Sequence, residues 1–301
     1  MQKPSNVAVY FTVDTRAGEP VPGLSADQFR IYEDKKLVSP FESKQTILNP
    51  EVAAMHYTLL LVDMSASVTE SGSASTLEAA VSRFTERVGR YQQTAIYGFD
   101  GRSEIVALRG FSASPAGSAA LASFRPKDPS TNLNGAIVEA IKVLEKQLER
   151  SPVPLRFGTL VVFTDGTDHA HRVSPQELRA SLDRVDFEVF VIGVGAEIDE
   201  GELSAIGRSG ATLSKDPGTV GVMFDQVAER IEGFSKRFYM LSYCSPSRAG
   251  SHELTIEPVA PDGSTGSLTY RFSADGFGPD CDPNRKPAFD LRHPKRVSAG
   301  Q

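Results

Sequence analysis

Tyr57-Thr58-Leu59-Leu60-Leu61-Val62-Asp63-Met64-Ser65-Ala66-Ser67 is the stretch that decides the fold. Its first six residues have almost no polar content, the pattern of a central parallel strand covered on both faces. The run ends in a tight turn carrying one carboxylate and two hydroxyls, Asp63, Ser65 and Ser67. In open α/β sheets the carboxyl ends of the strands are where ligands bind, at the point where strand order reverses. Three oxygen-bearing side chains in one turn suit a hard cation. Short Ser-rich turns are common, so the turn needs partners elsewhere in the chain.

Outward from this strand, the segment from Tyr57 to about Arg237 alternates apolar runs with amphipathic helices, which predicts a parallel sheet built from βαβ units. Leu77, Ala80, Val81, Phe84 and Val88 have helical spacing, as do Ile137, Ala140, Ile141, Leu144 and Leu148. Buried strands are expected at Ala95–Phe99, Thr159–Phe163 and Val189–Val194, and an edge strand at Ser103–Leu108. A last helix, about Thr219 to Ser235, carries Met223, Phe224, Val227 and Ile231.

The flanks read differently. Val7, Val9, Phe11 and Val13 alternate with a period of two, and Phe29–Glu33 and Lys36–Val38 look like strands around a turn at Asp34-Lys35. Ser25-Ala26-Asp27-Gln28 has the form of a capping box for one short helical turn. Strand patterns return in Phe238–Tyr243, His252–Ile256 and Leu268–Phe272. Two separate three-stranded pieces would each have little core. The economical organisation is one β-sandwich interrupted by the α/β domain: residues 1–54 and 238–275 form the discontinuous Ig-like sandwich, 55–237 the inserted domain, and 276–301 an irregular tail.

Composition bounds the function. The 301 residues are 40% hydrophobic, enough for a packed core, and 38 acidic against 32 basic residues give a net charge of -6. That balance gives no general attraction to nucleic acid or anionic membranes. No apolar stretch reaches the roughly 20 residues of a bilayer span. Two cysteines, Cys244 and Cys281, allow either two thiols or one disulfide.

Two further strand ends complete the cation turn. Phe163-Thr164-Asp165-Gly166 is a second apolar strand ending in a carboxylate, and Ser130-Thr131-Asn132-Leu133-Asn134-Gly135 is a hydroxyl-rich loop feeding a helix. If the three loops converge, Asp63, Ser65, Ser67, Thr131 and Asp165 form an all-oxygen site. The absence of Cys and His points to Mg²⁺, Mn²⁺ or Ca²⁺ over zinc or copper. Taken alone, Ser65 and Ser67 read as helix caps and Asp165 as a turn former; their joint occurrence at three strand ends favours the ion.

In these three pieces, and in their order, the chain resembles the von Willebrand factor A (vWA) domain family over about Met55 to Arg237. The resemblance implies a doubly wound, Rossmann-like domain with a metal-ion-dependent adhesion site. It assigns the ion to Asp63, Ser65, Ser67, Thr131 and Asp165 and leaves a coordination place for the Asp or Glu of a protein partner. The stretch Asp14 to Asp34, with Gly18, Pro20-Val21, Gly23-Leu24 and Asp27-Gln28-Phe29, is similar to the leader of many bacterial proteins in which an A domain is set into a β-sandwich. Such proteins are commonly exported, which implies a periplasmic or cell-surface location, a missing signal or lipoprotein leader, and a Cys244–Cys281 bridge; the cytoplasm is the alternative.

Asp168, His169 and His171, after the Asp165 loop, and Asp100 and Arg102, after another strand, are expected at the rim where a partner would sit. The function this predicts is metal-dependent protein binding, in adhesion or in assembly with a subunit of the same complex. A hydrolase using Ser65 or Ser67 with His169 and Asp165 is the rival from another class. The chain lacks a G-x-S-x-G elbow and a phosphate-binding G-x-x-x-x-G-K-[ST] loop, which counts against an enzyme.

Overall fold

Side chains along Leu59-Leu60-Leu61-Val62 alternate between two apolar layers, and this alternation organises the larger part of the molecule. The computed structural model describes residues 2–48, 54–70, 74–114, 121–153, 155–285 and 287. Its strands and helices in chain order are β1 (Asn6–Thr12), β2 (Phe29–Glu33), β3 (Lys36–Leu37), β4 (Thr46–Leu48) and β5 (Ala54–Asp63). Next come α1 (Ala66–Glu70), α2 (Ala74–Val88), β6 (Gln93–Phe99), β7 (Val106–Ser112), α3 (Leu133–Arg150) and β8 (Leu155–Thr164). After α4 (Pro175–Asp183), β9 (Glu188–Val194), α5 (Glu200–Ile206), β10 (Gly210–Ser214) and α6 (Val220–Lys236), the chain closes with β11 (Phe238–Cys244), β12 (Ser251–Pro258) and β13 (Leu268–Ser273).

The chain divides into two compact units, one of Ala54–Ser235 and one of Met1–Ala53 with Lys236–Gln301. In the first, a six-stranded sheet has the order β10-β9-β8-β5-β6-β7. All its pairings are parallel except β6 with β7. The chain leaves β5 towards β6 and β7, then returns to β8 on the other side, so strand order reverses between β5 and β8. Leu60 and Val62 pack with Leu77, Val81 and Phe84 of α2 and Phe224, Val227 and Ile231 of α6. Leu59 and Leu61 pack with Ile137, Ile141 and Leu144 of α3 and Leu178 of α4. Leu59, Leu60 and Leu61 are fully buried, each contributing about 1.5–3 kcal/mol of apolar transfer.

The expected edge strand at Ser103–Leu108 is found shifted, at Val106–Ser112, with register breaks against β6. Helices α4 and α5 and strand β10 were not expected. At nine, seven and five residues they are too short to show a period, and their signal lies in caps instead. Ser174 Oγ accepts from the Glu177 N–H at 3.2 Å, ahead of Pro175, and Asp199 Oδ1 accepts from Glu202 at 2.9 Å.

The second unit has two antiparallel sheets, β1-β11-β4 and β13-β12-β2-β3. Both feed one core: Val7 of β1 and Tyr239, Leu241 and Tyr243 of β11 from one sheet, and Phe29, Ile31, Leu254 and Ile256 from the other. The capping-box segment forms a 3₁₀ turn at Ala26–Gln28, with the Ser25 N–H donating to Gln28 Oε1 at 3.0 Å. Asp34 and Lys35, at φ 49° and 66°, make the two-residue turn between β2 and β3, both central residues being left-handed as a type I′ hairpin requires. Cys244 and Cys281 are joined in a disulfide. Of the tail expected at 276–301, residue 286 and residues 288–301 lie outside the described residues. The stretch before them is tied to the first strand region: Gly278 donates to the Lys3 carbonyl and Ser5 to that of Asp280. No helix among the described residues is long and apolar enough to cross a membrane.

Candidate metal centre

Strands β5 and β8 pair in register from Ala54 with Leu155 to Val62 with Phe163, so Asp63 and Thr164 leave the sheet side by side. The Thr164 hydroxyl donates to Asp63 Oδ2 at 2.7 Å, and the Ser65 N–H to Asp63 Oδ1 at 3.0 Å. Ser65 Oγ and Ser67 Oγ are 3.2 Å apart, and Ser67 Oγ donates to Asp165 Oδ1 at 3.0 Å. One hydrogen-bonded cluster thus spans the ends of both strands across the point where strand order reverses.

The third loop is stitched to both others through the backbone. The Ala66 N–H points at the Pro129 carbonyl at 3.5 Å, and the Ala170 N–H donates to the Thr131 carbonyl at 3.0 Å. Thr131, 4% exposed, is thereby held beside the loops of Asp63 and Asp165. Gly195, at the end of β9, has φ +128°, and an added Cβ would sit 3.1 Å from the Asp165 carbonyl oxygen. A glycine there lets the neighbouring strand end close on the Asp165 turn.

Asp63 is fully buried and Ser65 nearly so, Asp165 is half-buried, and Ser67 is exposed, giving the cluster one open side. Burial, with a smaller contribution from the charge of Asp165, pushes the Asp63 carboxyl up to about 6 against the stabilising bonds from Thr164 and Ser65. Burial also raises Asp165. Among the described residues no three His, Cys, Asp or Glu side chains are arranged to hold an ion. The candidate centre has two carboxylates and takes its other oxygens from hydroxyls. Two desolvated carboxylates among hydroxyl oxygens fit a hard divalent cation, which would offset their charge.

The expected rim is only partly a rim. Asp100 is not exposed there: it is fully buried and folded back on its own loop. Its carboxylate accepts from Arg102 Nε at 2.8 and 3.0 Å and from the backbone N–H groups of Arg102 and Lys127, both at 2.9 Å. Burial pushes Asp100 up, but these donors outweigh it and hold the carboxyl below its ordinary value. Arg102, half-buried, also lies 5.8 Å from the Phe124 ring centroid. Asp168 is buried too, at 5% exposure, and its Oδ1 accepts from the Asn134 N–H at 3.4 Å in the first turn of α3. His169 and His171 are exposed, His169 Nε2 lying 3.9 Å from Glu197 Oε2 and His171 Nδ1 3.8 Å from Asp168 Oδ2.

Thr164 and Asp100 were missed in these roles. The signal for Thr164 is a hydroxyl as the last residue of an apolar strand, directly before Asp165. For Asp100 it is the Asp-Gly-Arg spacing, which lets a carboxylate meet the N–H and side chain two residues on.

Several solved structures are similar to this chain. One is proximal thread matrix protein 1 from the mussel byssus, in a structure with a zinc occupied MIDAS motif: 16% identity, TM-score 0.47, covering 65% of this chain and 49% of that one. Another is a von Willebrand factor type A protein from Catenulispora acidiphila, with 11% identity, TM-score 0.47, and coverage of 91% and 74%. A third is the vWF domain of the type V pili tip protein Mfa5 from Porphyromonas gingivalis, with 9% identity, TM-score 0.45, and coverage of 62% and 97%. The chain spans about half the length of the mussel protein. No curated protein matches it. Residues 59–227, more than half of the 301, match the model of the von Willebrand factor type A domain. That span runs from Leu59 within β5 to Val227, about midway along α6, and includes all three strand-end loops; the chain belongs to the von Willebrand factor type A domain family.

Proposed function

We propose that this protein is a metal-dependent protein-binding module that captures an Asp or Glu carboxylate of a partner through a divalent cation. Asp63, Ser65, Ser67 and Thr131 would hold the ion, with Asp165 beside it or in contact with it. The observation that carries this reading is the bonded chain Thr164–Asp63–Ser65–Ser67–Asp165, which gathers two desolvated carboxylates and two serine hydroxyls from two strand ends. The ion supplies positive charge at the open side of the cluster, where a carboxylate from outside can complete its shell. An all-oxygen donor set favours Mg²⁺, Mn²⁺ or Ca²⁺.

The rim this reading uses is narrower than the sequence implies: exposed His169 and His171 remain its candidates, whereas buried Asp100 and Asp168 hold their loops. The arrangement offers little for hydrolysis. The Ser67 hydroxyl is directed to Asp165, and His169 stands by Glu197, which counts against a Ser67–His169 pair of the kind a serine nucleophile needs. We read the second unit as a β-sandwich into which the binding domain is inserted. The Cys244–Cys281 disulfide supports an exported protein, since such bonds persist in oxidising compartments.

The test is calorimetric titration of Mg²⁺ and Mn²⁺ into wild type and Asp63→Ala. Wild type should bind one ion and the variant none under the same conditions; equal affinity would overturn the assignment. Co-purification with and without EDTA then separates two uses of the site. Loss of an endogenous subunit on chelation indicates assembly, and loss of attachment to an external surface indicates adhesion.

A further inference from the structure

A second chemistry lies in the unit of Met1–Ala53 with Lys236–Gln301. Glu33, the last residue of β2, is 5% exposed and lines a cavity of about 630 Å³. Its two oxygens are held separately: Tyr243 Oη donates to Oε1 at 2.8 Å and Ser247 Oγ to Oε2 at 2.7 Å. No Lys, Arg or His nitrogen among the described residues lies within ion-pairing distance of it. Lys36, Lys44 and Arg248 line the same cavity with Asp34 and Glu42, and the charge of His252 is felt at Glu33 from beyond ion-pairing distance; Arg248 Nη1 is bonded to the carbonyls of Ser245 and Ser247. A buried carboxylate is ordinarily paired as well as hydrogen-bonded. Here two hydroxyls fix its orientation and leave one acceptor position free on each oxygen.

Two free, coplanar acceptor positions match a guanidinium, which presents two parallel N–H groups, better than an ammonium, which is a point charge. The space is of the size that ordinarily holds a drug-sized ligand (roughly 300–1,000 Å³), several times what one guanidinium fills. Apolar side chains stand at its edge. Leu37, 60% exposed, lines it, and Phe41, 92% exposed, lies in the same turn as the lining residues Glu42 and Ser43. Leu37 and Phe41 are two of the four large hydrophobics exposed among the described residues, so their clustering beside a buried carboxylate marks an amphipathic surface. A free small cation would make no use of it.

We propose that this cavity takes an arginine side chain from an extended peptide segment of a partner protein, its guanidinium paired in bidentate fashion with Glu33 and its apolar neighbours set on Leu37 and Phe41. The protein then has two docking chemistries, one for a partner's acidic residue and one for a basic residue, one in each compact unit.

The probes are an acetylated, amidated phenylalanyl-arginyl-glycine, the same peptide with citrulline in place of arginine, and L-argininamide, each titrated calorimetrically into the full chain in EDTA. The arginine peptide should bind, and the citrulline peptide should bind at least about tenfold more weakly, the loss expected when a charge-assisted pair becomes neutral. Glu33→Gln, which keeps the side-chain volume, should lose a similar factor, and Phe41→Asp should weaken the peptide without affecting L-argininamide. Equal binding of the arginine and citrulline peptides to wild type overturns the proposal even if Glu33→Gln does not fold. L-argininamide binding as tightly as the peptide overturns the assignment to a peptide partner. Insensitivity to EDTA keeps the outcome separate from that of the cation site.

Discussion

Asp63 should be a residue that the metal-free protein would be more stable without. Burial raises its carboxyl from the ordinary 3.8 to about 6, and at about 1.4 kcal/mol per pH unit that rise amounts to about 3 kcal/mol against folding at neutral pH. The sign follows from the direction. A carboxyl raised on folding takes up protons more readily in the folded state, so its penalty is full above about pH 7. It shrinks as pH falls through about 6 and is gone below the unfolded value near 3.9. Asp63→Asn removes the charge while keeping the shape, and an amide can still accept from Ser65 and meet the Thr164 hydroxyl. In EDTA at neutral pH the variant should therefore be more stable than wild type by up to about 3 kcal/mol, a gain that disappears near pH 4. In saturating Mg²⁺ wild type should recover about 2.7 kcal/mol at one hundred times the dissociation constant, and the variant nothing. Urea unfolding with and without Mg²⁺, at two pH values, reads all four quantities. A variant less stable than wild type in EDTA would refute the reasoning, since Asp63 would then be a structural acceptor and not a charge held ready for an ion.

Asp100→Ala should cost about 3 kcal/mol or more, since two backbone N–H groups and a half-buried guanidinium lose a charged acceptor; it should also weaken Mg²⁺ binding by loosening the loop that carries Thr131, and calorimetry with urea unfolding checks both. Reducing the Cys244–Cys281 bridge, which closes a separation of 37 residues, should destabilise the two-sheet unit by about 4 kcal/mol on the chain-entropy account, measured by unfolding with and without a dithiol. His252 Nδ1 lies 2.7 Å from Asp34 Oδ2, and this bond, then the Ala249 carbonyl, raises the imidazole, while the Glu253 N–H, then His252, lowers Asp34. The His252 contribution should be complete below about pH 6.5 and lost as pH rises through its raised value. The Asp34 contribution should hold above about 3.9 and be lost as pH falls through its lowered one. His252→Gln should accordingly flatten the decline of the unfolding midpoint on the alkaline side.

What could be read in the sequence was whatever depends on local pattern. Leu59-Leu60-Leu61-Val62 and Leu160-Val161-Val162-Phe163 are legible as strands because both faces are covered, which forces an unbroken apolar run. The long helices α2, α3 and α6 show their period over four or five turns. Helices α4 and α5 do not, because a helix of two turns buries only Leu178 and Leu182, or Leu203 and Ile206, too few positions for a stripe. The candidate ion site was legible for a related reason. Its candidate ligands lie within short turns, and the carboxyl ends of parallel strands already share one edge of the sheet.

Direction and burial were not legible, and they separate the two kinds of carboxylate in this protein. Asp63, Asp100, Asp165 and Glu33 all stand at or just past a strand end, so sequence position treats them alike. Asp100 meets a guanidinium from its own loop and is spent on structure. Asp63 and Asp165 face each other's charge and hydroxyl hydrogens. Glu33 is hydrogen-bonded by two hydroxyls from residues more than two hundred positions away, with the charge of His252 beyond ion-pairing distance. A desolvated carboxylate that finds its cation within the chain has its charge already compensated, whereas one that finds only neutral donors keeps part of its desolvation cost until a cation arrives. By that criterion Asp63 and Asp165 in the proposed ion site, and Glu33 in the proposed cavity, are the carboxylates whose charge a cation from outside the chain would compensate. Asp100, which looks the most like a rim residue in the sequence, is excluded on the same ground.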